Sequence, residues 1–233
     1  MIKRLLALLL IGGLGGVFLL LWLDFTPPTE LNEVARYYAE QSAPDLGTVN
    51  ITTAIIVTYR GLDTLGEVTV LFLSAAVVGM VLARGRRRTA ATAAGLVSGG
   101  ELLASGSRLL VPLILLLGVY IFVNGHLTPG GGFQGGAILA SAVLLMLLAD
   151  PTRRFSHRLI TLVESSTGLS YVLLGVVGIV LAGGFLDTRI LPLGEFGTLF
   201  SAGAIPLIYS LIGLKVGAEF ASMLANLSET EAL

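Results

Sequence analysis

Long apolar runs alternate with short polar segments along most of this chain. A helix that rises 1.5 Å per residue needs about 20 apolar residues to cross a hydrocarbon layer roughly 30 Å thick. Six segments approach this requirement, namely residues 5–23, 63–83, 109–123, 131–149, 159–181 and 202–224. The pattern therefore predicts an all-α protein, a polytopic membrane helix bundle with about six transmembrane helices.

The N-terminal region combines an apolar run with a polar segment. The run follows Lys3 and Arg4, as the hydrophobic stretch of a secretory signal peptide would. Its length, the lack of a clear small-residue cleavage site and the closing Trp22 favour a retained membrane anchor instead. The polar residues 24–48 predict a loop with a short interfacial helix within residues 30–41.

Two interruptions divide the rest of the pattern. Apolar residues 49–83 are too many for one crossing, and the charged and Gly-containing residues 60–67 break them. An arginine cluster and an Ala/Gly/Ser-rich tract then precede the third span. We therefore predict a two-helix N-terminal part at 1–88, a linker at 89–108 and a four-helix domain at 109–233.

The composition is typical of a membrane protein, and it argues against nucleic-acid binding and against metal or thiol sites. Hydrophobic residues make up 55% of the chain and charged residues 12%, whereas soluble domains carry about 25% charged residues. The 14 basic and 15 acidic residues nearly cancel, which excludes the broad basic surface of a nucleic-acid-binding protein. With no cysteine and only two histidines, we expect no metal site, no covalently bound cofactor and no catalytic nucleophile of the thiol class.

Basic residues predict the orientation of the bundle, because cytoplasmic loops accumulate Lys and Arg. If both termini are cytoplasmic, ten basic residues lie on that side: Lys3, Arg4, Arg84, Arg86, Arg87, Arg88, Arg108, Arg153, Arg154 and Arg158. The opposite side then holds only Arg36, Arg60 and Arg189. We expect a multi-pass protein with both termini cytoplasmic.

Ionisable side chains at membrane depth are costly and mark candidate functional positions. Asp63 and Glu67 lie four residues apart, on one helix face and beside Arg60. Because two carboxylates this close repel each other, we expect the pair to be suited to hold and release a proton or a sodium ion. In the alternative interpretation Arg60 and Asp63 lie at the interface, Asp63 caps the helix and only Glu67 is buried.

Lys215 and Glu219 form a second candidate pair, again four residues apart and within the last apolar run. An ion pair in lipid costs much less than either charge alone, so a structural role is one interpretation. A proton relay is the other, because burial readily depresses the pKa of a lysine.

Two further ionisable groups are candidates. His126 lies in a glycine-rich turn between two spans, where it is either an interfacial turn residue or part of an ion path. Glu164, near the start of the fifth span, either faces water or lines such a path. Non-helical backbone near the membrane is tolerated where it is buried in protein or lines a wet cavity.

Glycines surround this turn and open the fourth span. The spacing of Gly131 to Gly135 and of Gly132 to Gly136 predicts close helix contacts. The tract lacks the Lys-Ser/Thr ending of a phosphate-binding loop.

Residues 126–136, His-Leu-Thr-Pro-Gly-Gly-Gly-Phe-Gln-Gly-Gly, resemble the signature of the MrpB-type component of Mrp multisubunit sodium/proton antiporters and of its relatives in membrane-bound hydrogenases. Residues 199–206 and 213–219 resemble the closing part of the same component in the hydrogenase-type complexes. Residues 50–67 are similar to the stretch that ends the large MrpA-type component, or forms a separate small protein in hydrogenase-type complexes. Thr58 departs from that family, which often has an acid two residues before the Arg-Gly pair.

This resemblance implies a non-catalytic membrane subunit of a sodium/proton antiporter module in a prokaryotic cytoplasmic membrane. Its partners would be other antiporter subunits in a hetero-oligomer and the lipid bilayer, with a hydrogenase-type peripheral arm if the complex is redox-driven. Na⁺ and H⁺ would be the transported ions, and the path would use Asp63, Glu67, His126, Lys215 and Glu219. The alternatives are a purely structural spacer and an independent small transporter, the latter disfavoured because no inverted repeat is visible.

Overall fold

A computed structural model describes residues 2–27, 29–89 and 99–231 of the chain. Its α-helices in this part of the chain are α1 (Ile2–Asp24), α2 (Glu33–Leu46), α3 (Ile51–Ala54), α4 (Gly61–Thr89), α5 (Gly100–Val123), α6 (Gly132–Ala149), α7 (His157–Ala182) and α8 (Ile205–Glu231). A π-helical turn at Ile55–Tyr59 and a 3₁₀ turn at Thr188–Ile190 complete the regular structure of the same residues.

Six of the helices in the described ranges are long and apolar enough to cross a membrane: α1, α4, α5, α6, α7 and α8. This finding confirms the predicted all-α polytopic bundle. The helix predicted within residues 30–41 is α2, which continues to Leu46.

The third span is longer than its apolar core. α5 begins at Gly100 and not at Leu109, so residues 100–108 of the predicted linker are helical. Leu102, Leu103 and Ala104 are strong helix formers, and they outweigh the neighbouring glycines. Residues 90–98 of the predicted linker lie outside the described residues.

The chain divides into two compact units, Met1–Arg36 and Tyr37–Leu233. In the first unit α1 is apolar around its whole circumference and none of its residues is buried. A helix with such a surface is suited to hydrocarbon and not to water.

In the second unit α8 is the central helix, and α4, α5, α6 and α7 all pack against it. Ile208, Ile212 and Val216 recur at helical spacing and are fully buried in this core. The outer faces of the surrounding helices instead expose many large apolar side chains, as a bundle in lipid requires. The centre of this unit is therefore the surface of α8.

Glycines bring α5, α6 and α8 into close contact. A Cβ atom on Gly132 would lie 2.6 Å from Ile212, and one on Gly136 would lie 2.7 Å from Val216. A Cβ atom on Gly135 would lie 2.7 Å from the carbonyl oxygen of Gly118. The three helices approach as closely as backbones allow, which is how small residues stabilise membrane helix pairs.

We expect Gly136→Ala to destabilise the protein by about 1–3 kcal/mol, the usual cost of overpacking. The added methyl group would meet Val216 Cβ at 2.7 Å and the Gly213 carbonyl oxygen at 2.8 Å. The measurement is the thermal unfolding midpoint of the purified protein in detergent.

Gly106→Ala is the matched control, because no heavy atom lies within 4 Å of the position its methyl group would take. It should leave the midpoint unchanged or raise it slightly, since alanine favours a helix over glycine. Equal midpoints for the two variants would contradict the tight contact at Gly136.

Candidate functional site

A buried ion pair lies on α8 in the middle of the second unit. Lys215 Nζ is 2.7 Å from Glu219 Oε1, and the two side chains are 10% and 0% exposed. Phe72 of α4 places its ring centroid 5.0 Å from Nζ, a cation–π contact. Gly168 of α7 also lies beside the lysine, because a Cβ atom there would lie 3.4 Å from Nζ, an ordinary van der Waals contact. Three helices thus enclose one pair of charges.

The carboxylate of this pair is incompletely satisfied. Glu219 Oε2 is buried and has no hydrogen-bond partner among the described residues. Buried polar atoms without a partner are rare and costly in native proteins. The free oxygen can therefore accept a proton or a water molecule, while Lys215 neutralises the charge on Oε1.

His126 lies in the turn between α5 and α6 and is fully buried. Its Nε2 atom is 3.3 Å from the carbonyl oxygen of Thr198, and its Nδ1 atom has no partner among the described residues. Burial lowers the pKa of His126, which keeps the ring neutral near pH 7. One ring nitrogen of a neutral histidine is thereby available to a further ligand or water.

Side chains of residues 48–53 hold the turn that carries His126. They donate to its carbonyl oxygens: Thr48 to His126 (2.9 Å), Asn50 to Gly125 (2.9 Å) and Thr128 (3.0 Å), and Thr53 to Gly125 (2.6 Å). These hydrogen bonds satisfy carbonyl oxygens of the turn that lie outside the hydrogen-bonding pattern of a helix. They were not predicted from the sequence, because residues 49–53 were counted within the apolar stretch 49–83; the polar side chains of Asn50, Thr52 and Thr53 at its start were the available signal.

Asp63 and Glu67 lie together near the start of α4, on its exposed side. Arg60 Nε donates to Asp63 Oδ2 at 2.6 Å, with the two side chains 64% and 55% exposed. The three residues line one cavity of about 200 Å³ together with Thr64. The interpretation that only Glu67 is buried does not hold in this structure, because Thr64 and Val68 take the inward-facing positions of α4.

A second polar cavity, of about 230 Å³, lies beside the π-helical turn. Asp45 accepts a hydrogen bond from the Tyr59 hydroxyl at 3.3 Å, and burial raises the pKa of Tyr59 to about 12. Asp187 pairs with Arg189, which lowers the pKa of Asp187. The Thr58 hydroxyl, also on this cavity, lies 3.1 Å from that of Thr188. Sequence reasoning did not single out this cluster, because its members are scattered along the chain.

The candidate residues thus form three separate groups. The structure brings Asp63 together with Glu67 and Lys215 together with Glu219, and it sets His126 apart in its turn. Within the described ranges, no three His, Asp or Glu side chains are grouped as metal ligands.

Two family models match the chain. Residues 102–222 match the domain related to the MnhB subunit of Na⁺/H⁺ antiporter, and residues 3–96 match MbhE, a component of MBH. These matches confirm the resemblance carried by residues 126–136 and 50–67.

Several curated proteins are similar in sequence. An uncharacterized protein of Methanocaldococcus jannaschii is 32% identical over 189 residues, 72% of each chain. A probable K⁺/H⁺ antiporter A/B component of Rhizobium meliloti is 31% identical over 174 residues, 65% of this chain but 17% of that protein. The B component of a Na⁺/H⁺ antiporter of Bacillus subtilis is 46% identical over 48 residues, 21% of this chain and 34% of that protein.

Two solved structures contain chains of the same fold. A chain of the membrane-bound sulfane sulfur reductase, an archaeal respiratory membrane complex, superposes with a TM-score of 0.82 at 39% identity, covering 97% of this chain and 98% of that one. A chain of the Mrp complex from Dietzia sp. DQ12-45-1b gives 0.79 at 27% identity, with 97% of this chain and 26% of that one covered.

We expect Lys215→Met to destabilise the folded protein by about 3–5 kcal/mol at pH 8, because it leaves the Glu219 carboxylate buried without a counter-charge. The double variant Lys215→Met/Glu219→Leu should recover most of this loss, since it removes both charges. Thermal unfolding of the wild type, Lys215→Met, Glu219→Leu and the double variant gives the double-mutant cycle. Additive losses in the double variant would contradict the coupling.

Acid should weaken the folded state through His126. The unfolded state binds protons near the usual pKa of 6.5, whereas burial lowers the pKa of His126 in the folded state. Below about pH 6.5 the unfolded state therefore binds more protons than the folded state. The free energy of unfolding is highest above that pH and decreases as the pH falls, by up to about 1.4 kcal/mol per pH unit. Unfolding free energies from pH 8 to 5 should show a shallower decline in His126→Gln than in the wild type.

Proposed function

Since this chain belongs to the family of domains related to the MnhB subunit of Na⁺/H⁺ antiporter, we propose that it is a membrane subunit of a multisubunit cation/proton antiporter module. The observation that carries the proposal is the buried Lys215–Glu219 pair with its unpartnered carboxylate oxygen. Charges kept at membrane depth mark ion or proton paths. Na⁺ and H⁺ are the ions we assign to the module.

Each group of site residues has a part in this proposal. Asp63 and Glu67 bind the cation or proton at their water-accessible cavity beside α4. His126, buried and neutral, shapes and hydrates an entry to the path. Lys215 tunes the proton affinity of Glu219, because its approach or withdrawal changes the charge that the carboxylate experiences.

Exposed charges on a membrane helix support a multisubunit assembly. Asp63 and Glu67 face outward beside large exposed apolar side chains such as Leu62 and Val70. Carboxylates facing bare lipid are costly, so we propose that a neighbouring membrane protein of the complex and water cover this side of α4. The apolar helix α1 offers a further surface for lipid or for such a neighbour.

We further propose that the chain joins two subunit-like parts, residues 1–88 and 109–233, across the segment 89–108. The separate family matches at residues 3–96 and 102–222 support this division. The excess of basic residues supports both termini on the cytoplasmic side of a prokaryotic cell membrane.

A redox-driven complex is the setting we favour over a pure antiporter. The match to the chain of the respiratory complex covers 98% of that chain at 39% identity, whereas the match to the Mrp complex covers 26% at 27% identity. A peripheral redox arm is then a partner of the whole assembly.

Glu67→Gln should reduce sodium-dependent proton movement by the assembled complex severalfold, because it removes a titratable ligand while keeping the shape of the side chain. Proton movement is read from a pH-sensitive dye in inside-out vesicles. Glu195→Gln, in an exposed loop, is the control and should transport normally. Unchanged transport with normal assembly in Glu67→Gln would remove that carboxylate from the path.

A purely structural spacer is the alternative function, and it makes the opposite prediction. Neutralising Asp63, Glu67 and Glu219 would leave transport intact, while enlarging Gly132 or Gly136 would dissociate the complex. The tight contacts of these two glycines are the observation that favours this alternative.

A further inference from the structure

One face of α8 carries polar side chains along the half of the helix that follows its buried ion pair. The residues at successive spacings of four, three, four and three are Lys215, Glu219, Ser222, Asn226 and Glu229. This spacing keeps all of them on the same side of a helix. An apolar membrane helix rarely has such a row, because each polar group costs free energy in hydrocarbon.

The structure turns this row toward α7 on one side and α4 on the other. Gly168 of α7 lies against Lys215, and Glu164, four residues before Gly168, lies on the same face of α7. A Cβ atom on Gly79 of α4 would lie 3.5 Å from the Asn226 amide nitrogen.

The row ends in a second titratable pair. His157 Nε2, at the start of α7, lies 2.7 Å from Glu229 Oε1 near the end of α8. The two side chains are 46% and 17% exposed, so this pair has access to solvent. Arg153, Arg154 and Arg158 mark the same end of the bundle.

We call the surface lined by Glu164, Lys215, Glu219, Ser222, Asn226 and Glu229 the polar seam. Its inner end is Glu219, whose Oε2 atom is fully buried and unpartnered among the described residues. Its outer end is the solvent-accessible His157–Glu229 pair. Water between these ends would satisfy the free oxygen of Glu219.

We propose that the polar seam is a hydrated proton half-channel that connects Glu219 with the aqueous phase at the His157–Glu229 end. Hydroxyl, amide and carboxylate groups at helical spacing suit a chain of water molecules that transfers protons. Glu164 and Glu229 are positioning residues, which hold this water and bias its protons toward Glu219. The inference rests on the proposed antiporter function and assigns its proton outlet.

Cysteine accessibility tests the hydration directly, because the chain has no cysteine of its own. Ser222→Cys lies in the polar seam, and Met223→Cys is a depth-matched control in the groove of about 330 Å³ lined by Phe220 and Leu224. The probe is a membrane-impermeant cationic methanethiosulfonate, applied to inside-out vesicles that contain the assembled complex. The complex with the wild-type chain sets the background.

We expect Ser222→Cys to react about tenfold or more faster than Met223→Cys, since only a hydrated thiol forms the reactive thiolate readily. Equal rates, or reaction of Ser222→Cys only in right-side-out vesicles, would overturn the half-channel. If Ser222→Cys fails to assemble, Asn226→Cys against the half-exposed Leu227→Cys makes the same comparison.

Transport supplies an independent measurement. Glu229→Gln should lower the maximal rate of proton movement severalfold while leaving the sodium concentration for half-maximal rate unchanged. Glu101→Gln, an exposed acid in the first turn of α5, should change neither. A normal maximal rate in Glu229→Gln would overturn the role of the outer pair.

These measurements separate the inference from the function on which it rests. A complex that exchanges sodium for protons but has an unreactive Ser222→Cys thiol retains the antiporter role and loses the half-channel. A wild-type complex that moves no ions overturns the antiporter role, whatever the labelling rates.

Discussion

The buried ion pair between Lys215 and Glu219 is the interaction on which the packing of this bundle depends. Two opposite charges 2.7 Å apart stay inside a membrane-embedded core only because each lowers the cost of burying the other. Phe72 and Gly168 fit around the lysine from two different helices. The central place of α8 follows, since a helix that carries such a pair is best surrounded by protein on every side. The Lys215–Glu219 pair is thus buried in the core, whereas the Arg60–Asp63 pair at the start of α4 is exposed.

A related constraint acts on the backbone. The turn between α5 and α6 leaves the helical hydrogen-bond pattern, so its carbonyl oxygens need donors from elsewhere. Thr48, Asn50 and Thr53 supply them from a segment more than seventy residues earlier. The part of the chain that matches MbhE thereby donates hydrogen bonds to the backbone of the part that matches the MnhB-related domain. Carrying both parts in one chain keeps donors and acceptors together.

The length of the apolar runs determined the structural class of this protein, a bundle of membrane-spanning helices. Apolar runs of membrane length predicted six spanning helices, because hydrocarbon excludes polar residues so strongly that span length and composition are recognisable without contacts. The pairing of Lys215 with Glu219 was likewise visible, since residues four apart share a helix face. The early start of α5 at Gly100 was not, because apolar content marks the hydrocarbon core and not the ends of the helix.

Only the tertiary structure decided which charged and polar groups meet across helices. The burial of His126, the outward position of Glu67 and the contact of His157 with Glu229 each depend on how helices distant in sequence rotate against one another. Local spacing specifies one face of one helix, but it does not say which neighbour that face meets. The sequence therefore determined the membrane bundle and its local ion pairs, while packing around α8 determined which of the ionisable side chains are buried and which are exposed.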